Sequence, residues 1–144
     1  MIIDTTYLLP LAKIEVPTDV FADILRGKIS IDLSELSVSS ISIFELQAKA
    51  AKLGIPYKHI VKAIRFIMRH LRVIDFWDKD IVEYSFELRK LLPDYISCVI
   101  LATAIKHDNE LLTEGTRILK IRPHIEETYG TKIIRYSDLI KNQK

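Results

Sequence analysis

The chain has 144 residues, 49% of them hydrophobic and 28% charged, an ordinary soluble globular balance that predicts one domain over residues 1–144 with a proper core. No apolar run reaches the length of a membrane span, and the opening lacks a charged-then-apolar signal pattern, so an intracellular, cytoplasmic protein is the expectation. One cysteine, Cys98, excludes an intrachain disulfide and a cysteine-based zinc site, and a formal net charge of +2 leaves any nucleic-acid role to a local patch.

Met1-Ile2-Ile3 reads as a short buried strand with Asp4 at its end. In an open α/β sheet, ligands bind outside the carboxyl ends of the strands, so a carboxylate there is placed to hold a divalent cation. Asp4 reads equally as the cap of the helix that follows, over Tyr7 to Ile14. Thr18 then caps a helix from Asp19 to Arg26, stopped by Gly27, and Ile29 to Leu33 is a short extended piece. Ser37 to Ser42 is strand-like and runs into a strong helix from Ile43 to Leu53. Glu45 therefore falls in a first helical turn, where the helix dipole also favours an acid.

Pro56 opens a helix to about Arg69, with Ile60, Val61, Ile64, Ile67 and Met68 at helical spacing. Its other side carries Lys58, Lys62, Arg65, Arg69 and, continuing the spacing, Arg72. Such a stripe is more often a solvated face, and its functional alternative is a surface for a phosphate backbone. Val73 to Trp77 is a third strand, and Asp78 caps a helix from Asp80 to Leu92. Asp94 caps Tyr95 to Lys106, a helix apolar nearly all round and so buried on most sides. Glu110 to Thr113 and Ile133 to Tyr136 are the last strands, separated by a loop with one helix, and Ser137 caps a closing helix.

Strands alternating with helices predict an α/β fold, a three-layer sandwich around a parallel sheet of four or five strands. No glycine-rich phosphate loop follows any strand. A small-molecule enzyme lacks support, because His59, His70, His107 and His124 are scattered and no nucleophile–base pair stands at a strand end.

Asp4-Thr5-Thr6 after the first strand resembles the opening of PIN domains, the fold of the VapC-type toxin ribonucleases. Ser42-Ile43-Phe44-Glu45-Leu46 resembles their second acidic motif. Ser97 to Ile105 is similar to their third, usually D-A-L-I-A-A-T-A-L, and Leu111 to Gly115 to their fourth, usually L-L-T-x-D. The order is right and nearly the whole chain is covered.

The resemblance implies a metal-dependent endoribonuclease, in which a carboxylate cluster holds Mg²⁺ or Mn²⁺, the ions activate a water and RNA is the substrate. It also implies a small antitoxin protein as partner. With Tyr7, Phe21, Phe44 and Tyr57 on early helices, it further implies a homodimer. Ser97 and Gly115 stand where the third and fourth acids belong, so two of four are missing.

Asp94 reads either as an N-cap or as a displaced third ligand, its Cα shifted about 4.5 Å along the helix axis. Glu114 is a weaker substitute, since neighbouring strand-end side chains point apart. On the nuclease reading Asp4, Glu45 and Asp94 are the catalytic and metal-holding acids, and Thr6, Ser97 and Thr113 orient water or carboxylates from behind them. The ion binds weakly or not at all, and activity is low. The alternative is a catalytically silent domain of the same fold that binds RNA or a protein, with Lys58, Lys62, Arg65 and Arg69 as its working surface.

Overall fold

The computed structural model describes residues 1–107 and 109–141. Five short strands, β1 (Ile2–Ile3), β2 (Ser37–Ser39), β3 (Arg72–Ile74), β4 (Glu110–Leu112) and β5 (Lys132–Ile134), form one sheet in the order β3-β2-β1-β4-β5. Every pairing is parallel, with Ile2 beside both Ser37 and Leu111. Parallel neighbours require crossover connections, and the helices that provide them cover both faces.

Side chains alternate across a strand, and the two cores follow from that alternation. Ile3, Val38 and Leu112 face a core built with α1 (Val20–Leu25), α2 (Ser40–Lys52), α3 (Tyr57–His70) and α8 (Tyr136–Lys141). Ile2, Ile74, Leu111 and Ile133 face the other way, onto α4 (Lys79–Leu88), α5 (Tyr95–Lys106), α6 (Thr116–Lys120) and α7 (Arg122–Tyr129). The expected three-layer α/β sandwich is present, with five strands. From Cys98 to Ala104 every residue of α5 is buried, as its all-round apolar sequence requires. No helix among the described residues is long and apolar enough to cross a membrane.

Several boundaries differ from the sequence reading, each for a local reason. The segment after Asp4 is a 3-10 helix over Thr5–Ala12, closed by Lys13 in the left-handed conformation. Ile29 to Leu33 forms no strand, and Asp32 instead caps a 3-10 turn over Leu33–Glu35 in a capping box. Ser39 caps α2, so that helix starts at Ser40 and Glu45 lies in its second turn rather than its first. Strand β3 ends at Ile74, and α4 ends at Leu88 rather than Leu92. The segment from Thr116 to Tyr129 holds two helices, not one. Arg72 belongs to β3 and not to the basic helix. Tyr7 and Phe21 are core residues, whereas Phe44 and Tyr57 are 62% and 74% exposed and stay available to a partner.

Strand β5 lies at an edge, where an outward backbone donor invites pairing with another chain. Glu126 on α7 blocks it: its Oε1 accepts from the Ile133 N–H at 3.3 Å and from Arg122 Nε at 3.0 Å. Glu126→Ala is expected to lower stability by about 1 kcal/mol, the usual worth of such a bond. Urea denaturation measures it, and an unchanged midpoint would show that the carboxylate does not protect this edge.

Candidate functional site

The carboxyl ends of β1 and β4 meet where the strand order turns, since the chain runs outward through β2 and β3 and then returns beyond β1 to β4. Asp4 leaves β1 at that point, and its backbone N–H donates to the Leu112 carbonyl at 3.0 Å. Its side chain caps the 3-10 helix, Oδ1 accepting from Thr5 N at 2.7 Å, and Oδ2 accepts from the Thr113 hydroxyl at 2.6 Å. Thr113 is fully buried and in turn accepts from Gly115 N at 3.0 Å, so one relay runs from the β4 exit to Asp4.

Glu45 reaches the same place from α2, where its Oε1 accepts from the Thr5 hydroxyl. Thr6 is the hydroxyl expected to orient the acids from the β1 side, and Thr5 holds that position instead. Thr5 follows Asp4 directly and is 5% exposed, so the turn that caps the helix also buries its hydroxyl against α2.

Asp94 takes the capping role that the sequence offered it. It caps α5, Oδ1 accepting from Ile96 N at 3.2 Å, and Oδ2 accepts from the Ser97 hydroxyl at 2.7 Å. Its charge also acts on Asp4 and on Glu45. Glu114 does not: Arg135 Nε donates to its Oε2 at 3.1 Å and Tyr136 N to its Oε1 at 3.2 Å, which ties it to the β5 exit.

The electrostatics follow from enclosure. Burial raises the Asp4 carboxyl above its ordinary range, against the donors Thr113 and Thr5, and the Asp94 charge adds to the rise. Glu45 is raised likewise, by burial first, with the Thr5 hydroxyl opposing and the charges of Asp4 and Asp94 adding. Lys49 lies one turn beyond Glu45 on α2, and its positive charge works against both rises. Neither Thr5 nor Lys49 stands out in the sequence as a functional residue. The signal for Lys49 was its spacing of four from Glu45, and that for Thr5 its place behind a capping aspartate.

These residues do not complete a divalent-metal site. Among the described residues no three His, Cys, Asp or Glu side chains gather closely enough to hold an ion. Ser97 offers a hydroxyl that is already donating to Asp94, and Gly115 offers no side chain. A Cβ built at Gly115 would lie 3.2 Å from Thr113 Oγ1 and 4.0 Å from Asp4 Oδ2, so this position faces the relay directly. Its φ of −63° suits any residue, and a side chain there meets only the crowding of the Thr113 hydroxyl.

The basic stripe lies elsewhere, on α3. Lys58, Lys62, Arg65 and Arg69 are exposed, and none of them joins an ion pair among the described residues. Lys62, Arg65 and Arg69 line a hollow of about 260 Å³ with Phe66 and His70, whose rings lie 4.6 Å apart.

A pH dependence follows from the raised carboxyls. The folded chain holds these protons more tightly than the unfolded chain, so stability falls as pH rises from about 4 through the folded values, and the loss persists at pH 7. Asp4→Asn removes the buried charge at nearly constant shape. The variant is expected to be more stable than the parent at pH 7, with the difference closing below about pH 4. Urea midpoints across that range measure it, and a variant less stable at pH 7 would contradict the assignment of burial as the dominant influence.

A model of the PIN domain matches residues 1–122. No curated protein matches the chain. Among solved structures, a toxin–antitoxin complex from Klebsiella pneumoniae is similar at 25% identity and a TM-score of 0.59, over 80% of this chain and 86% of that one. VapBC2 from Rickettsia felis, bound to a DNA fragment from its promoter, has 19% identity and a TM-score of 0.64 over 93% and 96%. FitAB bound to an IR36 DNA fragment has 17% identity and a TM-score of 0.63 over 94% and 95%, and these last two likenesses speak for the fold alone. With the family model spanning most of the chain, the chain belongs to the PIN-domain family.

Proposed function

We propose that this PIN-domain protein is a toxin-type member that engages RNA in the cytoplasm and hydrolyses it slowly or not at all. The observation that carries the reading is the state of the acid cluster. Asp4 at the end of β1 and Glu45 on α2 are joined through Thr5, while by the resemblance Ser97 and Gly115 stand at two acidic positions. Ion affinity at a hard-metal site rises with its carboxylates, so two losses weaken Mg²⁺ or Mn²⁺ binding and with it the activation of water. RNA is favoured as ligand by the four exposed cations of α3, which join no ion pair among the described residues and match a phosphate backbone in sign.

A small antitoxin protein as partner is supported by the solved neighbour from Klebsiella pneumoniae, which is itself a toxin–antitoxin complex. Self-association belongs to the same reading. Phe86, Leu91 and Tyr95 leave apolar surface exposed near the C-terminal end of α4, and Phe86 and Tyr95 meet edge to face at 5.9 Å. A homodimer is the expected state at micromolar concentration, measured by light scattering.

The catalytic half of the reading is tested by restoring the acids. Ser97→Asp together with Gly115→Asp is expected to raise Mn²⁺-dependent cleavage of single-stranded RNA about 100-fold, or about 2.7 kcal/mol of barrier. Asp4→Asn in that background is expected to abolish the gain. If the parent cleaves as fast as the restored protein, the two positions are not losses.

The binding half is tested by charge reversal. Arg65→Glu with Arg69→Glu is expected to weaken RNA binding at least about tenfold and to flatten its salt dependence, because fewer counterions are released. Unchanged binding would remove α3 as the RNA surface and favour a silent protein-interaction domain.

A further inference from the structure

We infer that the acid cluster of this chain is closed without a metal ion: each of its three carboxylates is held by a hydroxyl of the chain itself, so the site keeps its shape empty of Mg²⁺ or Mn²⁺. This deepens the proposed weakening of the nuclease centre and rests on the same placement of the acids.

The pairing is one to one and uses three separate elements. Thr113, leaving β4, donates to Asp4 at 2.6 Å. Thr5, leaving β1, donates to Glu45. Ser97, in the first turn of α5, donates to Asp94 at 2.7 Å. Backbone N–H groups occupy the remaining oxygens of Asp4 and Asp94, from Thr5 at 2.7 Å and Ile96 at 3.2 Å. Hydrogen bonds to an ionised acceptor are roughly twice as strong as neutral ones, so these donors hold the carboxylates in place without an ion.

The two replaced positions change the sign of what they offer. An acid at 97 would present an acceptor to Asp94, and Ser97 presents a donor. At 115 the missing Cβ leaves open the space 3.2 Å from Thr113 Oγ1. There the Gly115 N–H donates to that hydroxyl at 3.0 Å and turns its proton toward Asp4. An arrangement that gathers negative charge for an ion has become one in which each negative charge meets a proton donor. Lys49, one turn from Glu45, adds the fixed positive charge.

The test uses the full chain. Thermal unfolding is followed in excess EDTA and then with MgCl₂ or MnCl₂ at matched ionic strength, and Mn²⁺ binding is titrated by calorimetry. The midpoint is expected to move by less than about 1 °C, whereas an ion held well below its working concentration in Kd would raise it by several degrees. No saturable Mn²⁺ binding is expected below millimolar concentration. A lower midpoint in EDTA restored by Mn²⁺, or single-site binding at micromolar Mn²⁺, overturns the inference. RNA binding measured in EDTA separates it from the proposed function. Retained RNA with tight Mn²⁺ overturns this inference alone, and no RNA with no Mn²⁺ overturns the RNA reading alone.

Discussion

A carboxylate at the end of the central strand is the constraint around which the rest is arranged. Strand β1 is flanked on both sides, so whatever follows it emerges into the crevice between β1 and β4. Asp4 is therefore drawn from water by the fold, and burial is the largest influence on its carboxyl. An unpaired buried charge would be costly, so its oxygens must meet donors. Thr5 N and the Thr113 hydroxyl meet that need from β1 and β4, and the Gly115 N–H supports Thr113 in turn. One buried acid thus ties the exits of two neighbouring strands together.

The same constraint shapes the functional reading. In a metal-dependent nuclease the charge of gathered acids is offset by the ion, which also activates water. Here the offset comes from hydroxyls and from Lys49, and positions 97 and 115 contribute donors or room for them. The fold is that of the family, but the chemistry rests on the particular residues of the site, which is why membership of the family does not by itself establish hydrolysis. The α3 stripe has no such dependence, because its cations are exposed and unpaired among the described residues.

Much of the architecture was legible because it rests on strong local patterns. The buried run of α5 and the strand–helix alternation predicted the sandwich directly, and the four motif segments located Asp4 and Glu45. Element ends were less legible. Asp32 and Ser39 are short polar residues whose capping bonds decide where a helix starts, and a pattern of apolar residues does not record those bonds. The hydroxyl partners were harder still. Thr5 and Thr6 look alike in sequence, and only the 3-10 turn after Asp4 decides which one meets Glu45. Glu114 and Asp94 were both open as substitutes. A partner more than twenty residues away, Arg135, turns Glu114 aside, and the cap of α5 holds Asp94 in place.

The inferred pairing of these acids with hydroxyls, and not with an ion, is open to direct observation. Anomalous scattering from crystals of the unmodified protein soaked in MnCl₂ tests it most directly, because it locates any manganese atom by position. No anomalous peak is expected between Asp4 and Glu45, with the Thr113 hydroxyl still within hydrogen-bond distance of Asp4. A well-occupied peak bridging those two carboxylates, with Thr113 displaced from Asp4, would contradict it.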